Sequence, residues 1–173
     1  MHSLEIRHER TSDRASISSV TAIAFRDMPY ADGDEQDVIE RLRSSGALTL
    51  SLVAVFDGAI VGHVAFSPAR VSDGTHPWFA LGPVSVVPAK QRQGVGSALI
   101  ERGLSTIRES GALGCILTGN PEYYRRFGFT PSPQNVPDRE SEEFFMLKLF
   151  TNTTPTGVFQ FDGAFYGDAR DDG

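Results

Sequence analysis

A chain of 173 residues, 40 % hydrophobic and 22 % charged, has the size and composition of one globular domain that closes a core without disulfides or metal staples. Its formal charge of −6 and the lack of any long basic run exclude nucleic acid as the main ligand, because a phosphate backbone needs a positive footprint. The single cysteine, Cys115, rules out an intramolecular disulfide and suits a reducing compartment, so a cytoplasmic location is expected.

The opening residues, MHSLEIRHER, hold no apolar stretch of the secretory kind, and residues 4–7 read as a first strand. Thr11, Ser12 and Asp13 offer helix N-caps ahead of Ile17, Val20, Ile23 and Ala24, which recur at helical spacing and are expected to face inward. Residues 28–33, with Pro29 and Gly33, read as a loop. A second helix is expected over residues 34–44, with Val38, Ile39 and Leu42 on one face and Gly46 closing it. The period then changes to two: Leu48, Leu50, Leu52, Ala54 and Phe56 alternate along a strand. This apolar run is interrupted by Thr49 and Ser51 and is too short to span a bilayer, so no membrane is expected as a partner. Asp57-Gly58 signals a tight hairpin, because a type I′ turn needs positive φ at both central positions. Residues 59–71 form the return strand, 73–77 the next turn and 78–87 a further antiparallel strand.

From there the order switches to strand, helix, strand. Residues 88–93 form a short loop, and 94–110 a helix with Val95, Leu99, Ile100, Leu104 and Ile107 inward, stopped by Gly111. Gly114–Thr118 is a short apolar strand, and residues 121–126 suit a short helix with proline in its first turn. Residues 127–130 and 144–150 read as the last core strands, with Phe127 and Phe129 both core. The fold class is therefore mixed α/β (α+β), with one domain over residues 1–150. A C-terminal extension, 151–173, carries an edge strand near 158–161 and an acidic, mobile end at 168–173.

The segment from Leu81 to Leu99, LGPVSVVPAKQRQGVGSAL, carries the chemistry. A strand runs into a loop with Gly94 and Gly96, and a helix begins there. Unpaired N–H groups then face solvent at the positive end of a helix dipole, a natural cradle for a phosphate. A glycine pair at such a junction can equally be only a tight turn. A Walker loop fails, because Ser97 and not lysine follows Gly96. A dinucleotide fingerprint fails too: Leu99 stands where glycine or alanine belongs, and strand 114–118 carries no ribose-binding acid.

Gln91-x-x-Gly94-x-Gly96, between an apolar strand and an amphipathic helix, resembles motif A of the GCN5-related N-acetyltransferase (GNAT) superfamily. Asn120-Pro-Glu-Tyr-Tyr124-Arg-Arg-Phe-Gly128-Phe129 resembles its motif B, and the element order over residues 4–150 follows the superfamily. Leu81-Gly-Pro-Val-Ser-Val with Pro-Glu-Tyr-Tyr-x-Arg-Phe-Gly-Phe, and a final Gly-Val-Phe-x-Phe-x-x-Ala-Phe165, looks like the YhbS-like group. The resemblance implies a mostly antiparallel sheet splayed between strands four and five and flanked by helices. It also implies acetyl-CoA as co-substrate, with no metal, and direct transfer of its acetyl group to an amine.

It further implies roles for named residues. The backbone of Val84 and Val86 meets the acetyl and pantetheine ends, with the Val84 N–H polarising the thioester carbonyl. Pro83, which has no N–H, suits a bulge at the opening. Gln91, Arg92, Gln93, Gly94, Val95, Gly96 and Ser97 hold the pyrophosphate, Arg92 with a charge-assisted contact. Asn120 touches the pantetheine amide, or else is only the turn residue before Pro121. Tyr124 protonates the departing thiolate, with a hydroxyl pKa near that of a thiol, and Tyr123 packs beside it.

The general base is open. No acid lies between Trp78 and Val87, where many relatives of this superfamily carry one. A water relay or a residue from the first helices must serve, and Glu35 is a candidate, since it opens the second helix beside the substrate cleft, although a helix-dipole role explains it equally well. His63 and Ser85, both on central strands, are further candidates, His63 as a group titrating near neutrality. Cys115 reads as a buried small hydrophobe, and the histidines show no metal-site spacing. A non-catalytic acyl-CoA-binding or sensory module is the alternative, and a nucleotide-dependent oxidoreductase a third. The acceptor is a small-molecule or peptide amine that the residues do not specify, and a homodimer is compatible with everything above.

Overall fold

The computed structural model of the chain describes residues 3–26, 28 and 33–167. The sheet runs in the order β1 (Leu4–His8), β2 (Leu50–Phe56), β3 (Ala59–Val71), β4 (Trp78–Val86), β5 (Gly114–Thr118), β7 (Phe145–Leu149) and β6 (Thr130–Pro131), with β8 (Phe159–Gln160) added to the end of β3. Among the described residues, only β4 and β5 pair in parallel. The helices are α1 (Arg14–Phe25), α2 (Glu35–Ser45), α3 (Val95–Glu109) and the single turn α4 (Pro121–Tyr124).

Period-2 alternation sorts the strands' side chains between two layers. Leu52 and Ala54 of β2 join Leu99, Ile100 and Leu104 of α3 in the largest apolar cluster. Val53, between them in sequence, meets Ile17 of α1 and Ile39 of α2. Thus α3 covers one face and the α1–α2 pair the other. Beyond β4, Trp78, Ile116 and Phe145 of the sheet are covered by Phe159 and Phe161, which arrive after β7.

Local chemistry explains most boundaries. Asp57 and Gly58 both have positive φ, 50° and 79°, as a tight hairpin requires. Gly46 ends α2 in the left-handed conformation, its N–H returned to Arg43 O and Leu42 O. Asp13 turns back from the start of α1 to take two hydrogen bonds from the Arg7 guanidinium, 2.7 and 3.1 Å, and one from the Arg10 N–H. The Arg7 bonds, which outweigh burial, hold the Asp13 carboxyl below its usual range and fasten β1 to α1.

Three expectations fail locally. Ile23 faces solvent, because α1 buries Ile17, Val20, Thr21 and Ala24 instead. Residues 127–130 are not a strand: Phe127 closes a 3-10 turn, and Gly128 at φ 90° is outside strand geometry, so pairing begins at Thr130. Gly94 caps α3 in the left-handed conformation rather than starting it. The acidic end at 168–173 lies outside the described residues, as does most of the 28–33 loop.

Candidate functional site

Pairing between β4 and β5 stops at Ala80 and Ile116, although β4 continues to Val86 and β5 to Thr118. The strands part there. A bulge marks the same place: β3 pairs Phe66 with Leu81 and then Val64 with Val84, so Gly82 and Pro83 together oppose Ala65. Pro83 has no N–H for a ladder and stands in this bulge, as its chemistry requires.

A cavity of about 620 Å³ opens beside the parted strands. Val84 and Val86 of β4 form one wall, and Tyr123, Tyr124 and Arg126 the opposite one. Its end is the glycine loop, where Gln91, Arg92, Gly94, Gly96 and Ser97 line it. Arg92 and Gly94 both take positive φ, 64° and 85°, which turns successive amides inward as a nest does. Among the described residues, the N–H groups of residues 92–97 make no backbone hydrogen bond. The positive end of the 15-residue helix α3 and two guanidiniums, Arg92 and Arg126, therefore face one space. This arrangement suits a phosphorylated ligand whose extended arm runs along β4.

The two tyrosines are set by their neighbours. Tyr124 stands edge-on to Tyr123 at 5.0 Å and to Phe129 at 6.1 Å. Burial, then the nearby Tyr123 and Cys115, push the Tyr124 hydroxyl above the ordinary phenol range, so the group is protonated near neutral pH. Tyr123 carries the Arg126 guanidinium over its ring at 4.6 Å and receives the Arg126 Nε–H on its carbonyl at 2.9 Å. Sequence reasoning assigned Tyr123 to packing and missed Arg126. The signal was the three-residue spacing that brings them together on one helical turn.

Other candidates are placed differently from expectation. Gln91 lines the cavity, but its amide donates to Val86 O at 2.9 Å, tying the loop to β4. Gln93 turns away and donates to Ala89 O at 3.0 Å. Val95 buries its side chain against Gly62, which leaves only its N–H for a ligand. Asn120 is exposed, and its side-chain oxygen accepts from the Glu122 N–H at 3.0 Å, capping α4 rather than lining the cavity.

His63 is fully buried and lines neither cavity beside the parted strands. Its Nε2 lies 2.7 Å from Ser51 Oγ, which donates its one proton to Glu9 at 2.8 Å, so Nε2 carries the hydrogen. Glu9 in turn meets Arg43 at 2.5 Å. Burial pushes His63 down to about 4, so it is neutral near pH 7 and not the titrating group expected. Ser85 faces α1, 3.3 Å from Thr21 Oγ1. Cys115 is buried, and burial raises its thiol far above the ordinary range. Glu35 lines a second cavity, of about 480 Å³, together with Leu81, Gly82, Pro83 and Thr118. Adjoining residues of β4, Pro83 and Val84, thus line the two cavities. Among the described residues, no His, Cys, Asp and Glu cluster could hold a metal, and no helix is long and apolar enough to cross a membrane.

Comparison with known proteins gives this geometry its relatives. A family model described as an acetyltransferase (GNAT) domain matches residues 5–132. The crystal structure of a GNAT family acetyltransferase from Brucella melitensis in complex with acetyl-CoA superposes with a TM-score of 0.85 at 42 % identity, over 95 % of this chain and 99 % of that one. YhbS of Escherichia coli in complex with CoA gives 0.83 at 28 % identity, over 94 % and 92 %. By sequence, the uncharacterised N-acetyltransferase YhbS of E. coli K12 is 38 % identical over 96 residues, 55 % of this chain. That match spans 58 % of the length of the YhbS relative. The uncharacterised N-acetyltransferase YjhQ of the same strain is 27 % identical over 150 residues, 80 % of this chain and 82 % of that protein.

Proposed function

This chain belongs to the GNAT acetyltransferase family, and from that premise we propose that it transfers the acetyl group of acetyl-CoA directly to an amine. The observation that carries the reading is the parting of β4 and β5 beside a cradle of unpaired amides at the start of α3. Two parts of the cavity fit the co-substrate: the amides of residues 92–97 with Arg92 and Arg126 suit a pyrophosphate, and the stretch lined by Val84, Val86, Tyr123 and Tyr124 suits an extended amide arm. Acetyl-CoA supplies an activated thioester.

The balance of the reaction assigns the work of the protein's own groups. One C–N bond forms and one C–S bond breaks; the nitrogen loses a proton and the sulfur gains one. The Val84 N–H polarises the carbonyl, and the Val86 backbone aligns the arm. Tyr124, held protonated by burial, is the donor to sulfur. Glu35, on the wall of the second cavity, is the group that takes the proton from nitrogen. Asn120 and Gln93 have no side-chain role in this scheme, since both are engaged away from the cavity. We place the reaction in the cytoplasm, where the free thiol of Cys115 stays reduced.

The test is calorimetry with acetyl-CoA, followed by free-thiol release across a panel of amines. Binding with amine-dependent release supports the enzyme. Binding without release for every amine class would favour the non-catalytic module instead.

A further inference from the structure

The second cavity is completed by chain that follows the core strands. Phe161, Phe165 and Tyr166 form one side, and Phe25 of α1 with Val38 of α2 the other. The segment is fastened at two points. Arg41 of α2 donates from Nε to Ala164 O at 2.8 Å, and Ala164 is buried against Val38 and Leu42. Tyr166 donates its hydroxyl to Glu140 at 2.6 Å, while Arg139 lies over its ring at 3.9 Å. The rings of Phe161 and Phe165 are 5.5 Å apart, so the wall is a continuous aromatic surface.

The charges have a sign. Three carboxylates, Asp34, Glu35 and Glu140, line the cavity against one guanidinium, Arg139, which is spread over Tyr166. Asp34 is further met by Arg41 at 3.3 Å. An ammonium is drawn to such a space, and aromatic faces favour the same cation. A ligand carrying its own carboxylate is repelled. The volume of about 480 Å³ lies within the roughly 300–1,000 Å³ usual for small-molecule pockets.

We infer that this cavity is the acceptor site, and that the segment from Phe159 to Tyr166 selects small primary amines carried on an aromatic or broad apolar body and lacking a carboxylate. The inference rests on the acetyl-transfer reading and adds the class of acceptor to it. Phe161, Phe165 and Tyr166 hold the apolar body, and the Glu35 side holds the nitrogen next to the β4 bulge, where Val84 begins the other cavity.

The experiment measures thiol release from acetyl-CoA with phenethylamine, tyramine, spermidine, phenylalanine and a lysine-containing peptide. The arylalkylamines are expected to exceed the other three in kcat/KM by about tenfold or more, the scale of one well-filled apolar pocket. Phe165→Leu and Tyr166→Leu are expected to raise KM for phenethylamine about fivefold or more, with the acetyl-CoA Kd from calorimetry unchanged. If neither variant folds, Glu140→Gln, which removes one of the carboxylates lining the cavity, carries the comparison. Preference for spermidine, phenylalanine or the peptide, or an unchanged KM in the folded variants, overturns the acceptor class while leaving acetyl transfer standing. Absence of acetyl-CoA binding and of release with every amine overturns acetyl transfer, and this inference with it.

Discussion

The hydroxyl of Tyr123 lies over the bare α-carbon of Gly96: a β-carbon at that position would stand 3.1 Å from it. The ring cannot retreat freely, since Arg126 covers it and Tyr124 and Phe127 abut its edge. Gly96 is therefore what lets the wall of the cavity approach the start of α3. Gly96→Glu puts both a clash and a negative charge where a phosphate is expected. Acetyl-CoA affinity by calorimetry should fall below detection while the far-UV spectrum stays that of the wild type. Unchanged affinity in the folded variant would remove the glycine loop from the binding site.

Tyr124→Phe keeps the ring and its edge contacts with Tyr123 and Phe129. The expected result is a kcat about 10²- to 10⁴-fold lower with little change in acetyl-CoA Kd. Because burial raises the hydroxyl pKa, the group is protonated at any pH below that raised value. The wild-type kcat profile should accordingly show no fall assignable to Tyr124 up to about pH 10. Wild-type kcat in Tyr124→Phe would reduce the residue to packing.

Cys115 is buried, with its thiol held protonated by burial. No thiolate is available for an acyl-enzyme. Cys115→Ala should turn over within a few-fold of wild type, and intact-mass spectra with acetyl-CoA alone should show no added acetyl group. An acetyl trapped on Cys115 would contradict direct transfer.

His63 links stability to pH. Its folded pKa, about 4, lies below the ordinary value of 6.5, so the unfolded chain binds the extra proton in that interval. The contribution is fully present above about pH 6.5 and is lost as pH falls through 4, at about 1.4 kcal/mol per unit, or roughly 3 kcal/mol in all. Urea midpoints taken between pH 7 and 4 should fall more steeply for wild type than for His63→Gln. Parallel curves would mean that His63 is not buried neutral.

Gly114 occupies the first β5 position, where a β-carbon would stand 2.6 Å from Trp78 Cζ3 and meet the Lys148 carbonyl. Neither the indole, fully buried against Phe159, nor backbone can yield cheaply. Gly114→Ala should destabilise by about 1–3 kcal/mol, read as a lower urea midpoint. A midpoint within error of wild type would show that β5 and Trp78 shift apart easily.

What the sequence determined by itself is the set of features that depend on neighbours a few residues away. The alternation from Leu50 to Phe56, positive φ at Asp57-Gly58, the cap at Gly46 and the glycine loop ahead of α3 all follow from local backbone and hydrophobic periodicity, and each stands where it was expected. The tertiary structure alone decided what depends on side chains brought in from far along the chain. His63 loses its titration near neutrality because α1, α2 and the neighbouring strands bury it, a cost to the charged ring that the nearby Glu9 carboxylate offsets only in part. Tyr123 becomes a cavity wall because Gly96, 27 residues earlier, leaves it room. Phe161 and Phe165, from the extension, come to face Glu35 across a cavity. No local pattern records such meetings, because their energy comes from burial shared between distant segments, and that exists only once the chain has closed on itself.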